Sequence, residues 1–442
     1  MNALELLGDM GFKEARIVEK TDSYVGVMIK IPYGQNMLMT EENIQQSMNE
    51  GGKLATECAL SRYDTDGSPI TVAKIRYTSK GLSGKYYQSP YGDVYVQRHV
   101  YQNSSGGSTF CPLDNDADII VSTTPKFAKM VSSKYSRNAS TDVQRDLKEN
   151  HSRYAARSYI QNISQSVSEI VESRPSWTYS IPVDPRLVYL IAICLDGTCM
   201  LLSDGKYRQA MVGSISLYNF NGERLYTRYT AMPPEYGKGR FYETFIRDIE
   251  SVKKLYPNVN NCIGVADGAA DNWTFLQAHT QIQVLDFFHA SQYLAGVSYA
   301  AFKSAFEGKT WLEESLHTLK HEENGAKEIL AEMEKFLKKR ITKAKKAIIQ
   351  SAITYFSNQI QRMNYEDYQN RKIPIGSGVI EAACKVIIKQ RMCQSGMKWT
   401  DAGAKTVLAL RCIYESDTMW EQFWEKISNN NRRKLKKRKM AH

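Results

Sequence analysis

The sequence contains no unbroken apolar stretch near the roughly 20 residues that a membrane-spanning helix needs. Residues 1–13 also lack a basic segment followed by an apolar one, which is the pattern of a secretory signal. We therefore expect a cytoplasmic protein with no membrane partner. A chain of 442 residues with 42% hydrophobic composition is long enough to fold as several domains.

Cysteine is too dispersed to form a disulfide framework. The eight cysteines are scattered along the chain, and no two of them have the Cys-x-x-Cys spacing of zinc ribbons. The segment 110–114 contributes Cys111 alone. We expect reduced thiols and no structural zinc.

Positive charge is in excess, but most of it lies in one short segment. The net charge is +11, and seven of these charges come from the C-terminal tail, which leaves about +4 for the rest of the chain. Such a tail is typical of a flexible segment that binds polyanions without reading sequence. We expect the basic tail, residues 429–442, to contact DNA through Arg432, Arg433 and Lys434 among others, although solubility alone also explains it.

The N-terminal region, residues 1–115, contains a predicted small β-sheet module. Residues 71–77 and 93–101 alternate apolar and polar side chains between glycine-rich turns, which is typical of strands. Interleaved tyrosine, lysine and arginine could contact nucleic acid. An ordinary half-exposed sheet has the same pattern.

Residues 116–173 have helical periodicity and predict three short helices. A tight turn at residues 149–152, with Ser152 as N-cap, separates the second helix from the third, which exposes Arg153, Arg157 and Gln161 near its start. In a helix-turn-helix motif this position meets base edges. We therefore expect a DNA-binding domain, although any three-helix bundle has the same pattern.

An α/β pattern follows a proline-containing linker at residues 173–185. Residues 187–195, 206–220 and 223–231 read as strands, a helix ends at Tyr256-Pro257, and two short strands follow at 262–266 and 282–285. This order predicts an α/β ribonuclease-H-like catalytic domain over 186–291. An all-helical insertion over 292–372 and C-terminal helices over 373–428 complete it.

Three acids fall at the ends of the predicted buried elements. Asp196 follows the first strand, Asp267 follows Val265-Ala266, and Glu381 lies in the first turn of a helix opened by Gly376-Ser377-Gly378. A lone buried carboxylate is costly unless a cation joins it. Each aspartate alone also fits a turn or cap, but the three together predict a site for divalent metal.

Several segments resemble a known family. They include Cys194-Leu195-Asp196-Gly197, Val265-Ala266-Asp267-Gly268-Ala269, Leu285-Asp286-Phe287-Phe288-His289-Ala290 and, most specifically, Gly376-Ser377-Gly378-Val379-Ile380-Glu381-Ala382-Ala383-Cys384-Lys385. These blocks are similar to those of Kra-type bacterial insertion-sequence transposases, and the similarity covers most of residues 85–415.

This resemblance implies DDE chemistry, with Asp196, Asp267 and Glu381 as metal-binding acids. It implies two Mg²⁺ or Mn²⁺ ions, and as partners the terminal inverted repeats and target DNA in a bacterial, nucleoid-associated setting. At least a homodimer is expected, because two ends must be joined. Asp286 and His289 resemble an Asp-x-x-His motif near the acids, although His289 equally fits a structural role.

Lys385, Lys389 and Arg391 follow Glu381 on the same predicted helix, where they could grip phosphates beside the scissile bond. Glu381 and Lys385 alternatively form an ordinary solvent-facing pair. Two other functions share these features. A ribonuclease-H-like nuclease or resolvase would not need a reader of specific ends, and a catalytically retired DNA-binding regulator would not need all the acids.

Overall fold

The computed structural model describes residues 15–103, 106–174, 177, 179–235 and 238–439, with side chains as far as Asn429. These residues form two compact units: one comprises those up to 174 together with those from Glu421 onward, and the other ends at Trp420. The predicted boundary at 115/116 thus falls inside the first unit, and residues 421–428, predicted to belong with the catalytic domain, lie in the first unit instead. No helix in the described ranges is long and apolar enough to cross a membrane.

The described residues of the first unit start with a hairpin, a long helix and an antiparallel sheet. Strands β1 and β2 pair with each other, and β3, β4 and β5 form the sheet in that order. The bounds are β1 Ala15–Lys20, β2 Val25–Ile29, α1 Met37–Ser61, β3 Ile70–Val72, β4 Ile75–Ser89 and β5 Gly92–Asn103. The core of the sheet contains Tyr87, Val94, Val96 and Leu113.

The predicted strand over 71–77 is wrong, because the chain reverses in its middle. Val72 pairs with Ile75, and the two residues between them, Ala73 and Lys74, have φ values of 49° and 68°. Two-residue hairpin loops favour turns in which both central residues have positive φ. Glycine or asparagine normally marks such a turn, so Ala73-Lys74 gives no signal of it.

Three helices follow, as the periodicity predicts. After the short α2 (Pro112–Asp116), they are α3 (Pro125–Arg137), α4 (Ser140–His151) and α5 (Arg157–Ser173). They bury Phe127, Val131, Ile160 and Ile163. The predicted N-cap is wrong: Ser152 adopts a left-handed conformation at the C-terminus of α4, and the next helix begins five residues later, at Arg157.

The second unit is built on a five-stranded mixed sheet with the order β10-β9-β6-β7-β8. Strands β6, β7 and β8 are antiparallel neighbours, whereas β9 runs parallel to β6 and β10 parallel to β9. The bounds are β6 Leu190–Leu201, β7 Tyr207–Tyr218, β8 Arg224–Met232, β9 Asn261–Ala266 and β10 Ile282–Leu285. Helix α6 (Gly239–Leu255) joins β8 to β9, and α7 (Ala270–His279) joins β9 to β10.

A helical segment separates β10 from the helix that carries Glu381. It comprises α8 Phe287–Ala301, α9 Ala305–His321, α10 Gly325–Phe336, α11 Lys343–Gln359 and α12 Tyr365–Asn370. Helices α8 and α11 pack against each other in opposite directions, because Tyr293 stacks on Tyr355 at one end and Lys345 hydrogen-bonds to the backbone of Tyr299 at the other.

Helix α13, over residues 378–392, returns the chain to the sheet. It starts as α-helix (Gly378–Ala383), widens into a π-helical turn (Cys384–Lys389) and ends with Gln390–Met392. Helix α14 (Asp401–Glu415) packs on β8, and α15 (Met419–Lys439) leads into the first unit.

Candidate active site

Three aspartates lie in one row across the sheet. Cys194 of β6 pairs with Val265 of β9, so Asp196 and Asp267 each lie two residues beyond a matched pair. Leu285 of β10 pairs with Ala266 of β9, which places Asp286 beside Asp267. Parallel neighbouring strands thus bring the three carboxylates to the same edge.

The sequence predicts Asp196 at the end of a strand, and this is wrong, because Asp196 lies inside β6. It pairs with Val212 of β7, and this antiparallel ladder continues as far as Leu201. The parallel pairing with β9 stops at Cys194. Asp196 is therefore held rigidly by β7 on one side and lies next to the open end of β9 on the other.

Asp286 is fully buried and has partners on both carboxylate oxygens. Its Oδ1 accepts a 2.8 Å bond from the backbone N–H of Phe288 and so caps α8. Its Oδ2 accepts from the Ser377 hydroxyl and lies 2.9 Å from His289 Nδ1. With Nδ1 engaged, Nε2 is the ring nitrogen of His289 that remains available to a ligand.

Glu381 is brought to the same place by the start of α13. The Ser377 hydroxyl, already bonded to Asp286, lies 3.5 Å from Glu381 Oε1. One turn further on, the Cys384 thiol lies 3.7 Å from Asp196 Oδ2. Ser377 and Cys384 therefore fasten this helix to β10 and β6 at the row of aspartates.

Within the described part of the chain, one group of three or more potential ligands has all its donor atoms within 4.8 Å of one another: Asp286, His289 and Glu381. Asp196 and Asp267 lie outside that group. The two residues predicted as supporting, Asp286 and His289, thus form this compact group with Glu381, one of the three predicted catalytic acids.

The charges at this edge act on one another. Burial and the charge of Asp267 raise the pKa of Asp196, against the opposing effects of the Gly197 N–H, Cys384 and His289. Burial alone would lower the pKa of His289, but its hydrogen bond to Asp286 and the charges of Asp286, Asp267 and Glu381 raise it. Negative charge therefore accumulates here, and no ion pair among the described residues joins Asp196, Asp267 or Glu381 to a lysine or arginine.

Helix α11 is hydrogen-bonded to the backbone at Asp267, one of the three aspartates in the row. Tyr355 donates a hydrogen bond to the carbonyl of Asp267, and Gln359 donates a 3.2 Å bond to the carbonyl of Gly268. Neither residue is predicted from the sequence. Their distance from Asp267 along the chain leaves no local spacing that would reveal them.

The structure contradicts the predicted DNA-reading role of Arg153. Its side chain is buried, and its guanidinium donates to the Ser89 carbonyl, Gln88 and Asp93 at 3.1, 2.5 and 3.0 Å. Arg153 therefore fastens the helices to the end of β4. Arg157 and Gln161 are exposed on α5, as predicted.

Arg391 was predicted to contact phosphate, but it is only 2% exposed. Its guanidinium lies 5.0 Å from the Trp399 ring and inside the fold. Lys385 and Lys389 are exposed, although the π-helical turn interrupts the four-residue spacing from Glu381 that the prediction assumed. The predicted DNA contacts Arg432, Arg433 and Lys434 have side chains outside the described residues.

No protein-family model and no curated protein matches this chain.

Proposed function

We propose that the chain is a DDE-type DNA transposase that binds the ends of an insertion sequence and performs metal-dependent strand cleavage and strand transfer. The observation that carries this proposal is the convergence of Asp196, Asp267, Asp286 and Glu381 with His289 at one edge of the sheet. In the described part of the chain, Asp196, Asp267 and Glu381 form no ion pair with a lysine or arginine, and such a cluster of carboxylates is what a divalent cation neutralises.

The topology also supports a ribonuclease-H-like domain. Three antiparallel strands, a helix, a parallel strand, a helix and a further parallel strand precede the helical segment and then the helix with Glu381. This is the order that the resemblance to insertion-sequence transposases implies, with an all-helical insertion before the glutamate.

The residues at this edge of the sheet have two different proposed roles, metal binding and positioning. Asp196, Asp267 and Glu381 would hold the metal, since each side chain is at least partly exposed to solvent. Asp286 is a positioning residue, because it is buried and orients His289 and Ser377. The metal, when bound, activates a water or 3′-hydroxyl and stabilises the leaving oxygen. Carboxylate ligands suit Mg²⁺ and Mn²⁺.

The test uses purified full-length protein, a duplex carrying the terminal repeats that flank its own gene, and Mg²⁺ or Mn²⁺. We expect nicks at the repeat ends, abolished in Asp196→Asn, Asp267→Asn and Glu381→Gln with binding of the repeats retained. Asp204→Asn and Asp271→Asn are matched controls, because these nearby acids are exposed at the surface. Nicking by any of the first three variants at the control rate would remove that residue from the site.

A nuclease that does not read specific ends is the second candidate. The burial of Arg153 favours this nuclease, because one of the three side chains predicted to read bases is buried and bonded within the protein and cannot contact DNA. Equal cleavage of terminal-repeat and random duplexes would support this nuclease, whereas preference for the repeats supports the transposase.

A further inference from the structure

A strongly basic segment lies in the second unit, outside the segments that carry the acids of the candidate active site. Residues 335–346, which we call the basic turn, connect α10 to α11 and contain seven lysines and arginines and no acid. The next acid after Glu334 is Glu366. Most of these side chains are exposed, namely Lys335, Lys338, Lys339, Arg340, Lys343 and Lys346.

The position of these charges is unfavourable for the fold itself. Lys343, Lys345 and Lys346 lie in the first turn of α11, where the helix dipole favours acids and disfavours cations. None of the three forms an ion pair among the described residues. A positive cluster that costs helix stability and has no internal counter-charge is complementary to an external polyanion.

Aromatic rings hold part of the basic turn in place. The Lys339 ammonium lies 4.3 Å from the ring centre of Phe336 and 4.9 Å from that of Phe302. Lys345 lies 5.4 Å from the ring of Tyr299 and donates to its backbone carbonyl at 3.3 Å. Fewer side-chain rotamers must then be ordered when a ligand binds.

The antiparallel pair α8 and α11 links the basic turn to the candidate active site. Asp286 caps the start of α8, and Tyr355 near the end of α11 bonds to Asp267. Twelve residues separate Lys343 from Tyr355, which corresponds to about 18 Å along the helix. At 3.4 Å per step of each strand, this span is about five base pairs of duplex DNA.

We propose that the basic turn binds the phosphate backbone of duplex DNA about five base pairs from the phosphate held at the acids. The choice of duplex DNA as the ligand rests on the proposed function. The excess of positive charge in the basic turn is observed independently of that function. Contacts of this kind position a duplex and carry no sequence information.

The test compares two variants with the same change in charge. In the first, Lys338, Arg340, Lys343 and Lys346 are all replaced by Gln. In the control, the exposed lysines Lys206, Lys254, Lys309 and Lys327 of the same unit are all replaced by Gln. The affinity of each full-length protein for a labelled random duplex is measured by fluorescence anisotropy over a range of KCl concentrations. Melting temperatures confirm that both variants are folded.

We expect the slope of log affinity against log salt to fall by up to about 0.9 for each phosphate that the first variant no longer neutralises, and to change little in the control. Equal slopes for the two variants would overturn the inference, whatever the cleavage assay shows. The same measurement is made with labelled single-stranded DNA and with RNA, and a weakening confined to these two ligands would also overturn the inference.

The binding measurement needs no cleavage, so the two proposals fail separately. A reduced slope with no nicking by the unaltered protein would reject the transposase and retain the binding surface. Nicking by the unaltered protein, together with an unchanged slope in the first variant, would retain the transposase and reject the binding surface. Where nicking occurs, hydroxyl-radical footprinting should show protection about five base pairs from the nick, and this protection should be absent with the first variant.

Discussion

The hydroxyl of Tyr355 donates a 2.7 Å hydrogen bond to the backbone carbonyl of Asp267, although 88 residues separate them in the chain. The Tyr355 ring also stacks on Tyr293 with centroids 3.9 Å apart. The neighbouring Gly268 has φ of +109°, and a Cβ there would approach the Tyr355 ring to 2.9 Å. The backbone that carries Asp267 is thus fixed against α11.

Replacing Tyr355 by Phe should slow cleavage by about twofold to tenfold, because one hydrogen bond contributes about 0.5–1.5 kcal/mol. If Tyr355 positions a metal ligand, the Mn²⁺ concentration for half-maximal activity should rise while affinity for DNA stays the same. Tyr299→Phe, at the far end of α8, is the control. A lower melting temperature with an unchanged Mn²⁺ dependence would give Tyr355 a purely structural role.

Asp286→Ala should destabilise the second unit by about 2–4 kcal/mol, because it removes a helix cap and leaves buried donors without an acceptor. The buried carboxylate accepts from the Phe288 N–H and the Ser377 hydroxyl. Asp271→Ala, at a side chain that is 77% exposed, should change stability by less than about 0.5 kcal/mol. Urea unfolding followed by circular dichroism measures both, and similar midpoints would contradict the assigned role of Asp286.

Arg153→Met should lower the melting temperature, whereas Arg157→Met should not. Arg153 is buried against Ser89, Gln88 and Asp93, and its removal leaves their polar atoms without a partner. Arg157 lies exposed in the first turn of α5. Calorimetry of the two variants checks the prediction. We expect Arg157→Met, but not a folded Arg153→Met, to weaken binding to terminal repeats more than to random duplex.

Thiol reagents should distinguish the cysteines by exposure. Cys199 and Cys393 are exposed, whereas Cys262 and Cys412 are buried. Burial raises the pKa of the Cys412 thiol to about 12, so its reactive thiolate stays scarce even at pH 9, and Cys262 is shielded by its burial. Mass spectrometry after brief N-ethylmaleimide treatment should find Cys199 and Cys393 modified. Modification of Cys412 at the same rate would mean that its surroundings open readily.

The sheet of the second unit was largely predictable, because residues 190–195 of β6 and 262–266 of β9 are continuous apolar runs buried on both faces. Strands β7, β8 and β9 end within two residues of the predicted positions, and β10 coincides with its prediction. Strand β6 continues past its apolar run, because pairing with β7 carries it through Asp196 and Gly197. Pairing with the next strand, and not the apolar run alone, determines where β6 ends.

Side-chain burial was harder to predict than secondary structure. Arg153 and Arg391 are cations in polar-looking segments, and arginine is seldom fully buried unless it is paired. Arg153 is buried with Ser89, Gln88 and Asp93 as its acceptors, and Arg391 is buried beside the Trp399 ring. The position of Asp267 was easier to predict, because it directly follows the apolar strand β9.

Because α8 and α11 are paired antiparallel helices, the distance between the acids and the basic turn can change only by whole helical turns added to or removed from both helices. An insertion in one of these antiparallel helices leaves its turns without partners unless the other helix gains the same number of residues. One added turn in each moves the basic turn outward by about 5.4 Å, roughly one and a half base-pair steps, and does not disturb the sheet. Length variation in this part of the chain should therefore arise as matched insertions or deletions of three or four residues on both sides of α9 and α10. Under the proposed function, such changes would move the DNA contact of the basic turn without altering the arrangement of the acids.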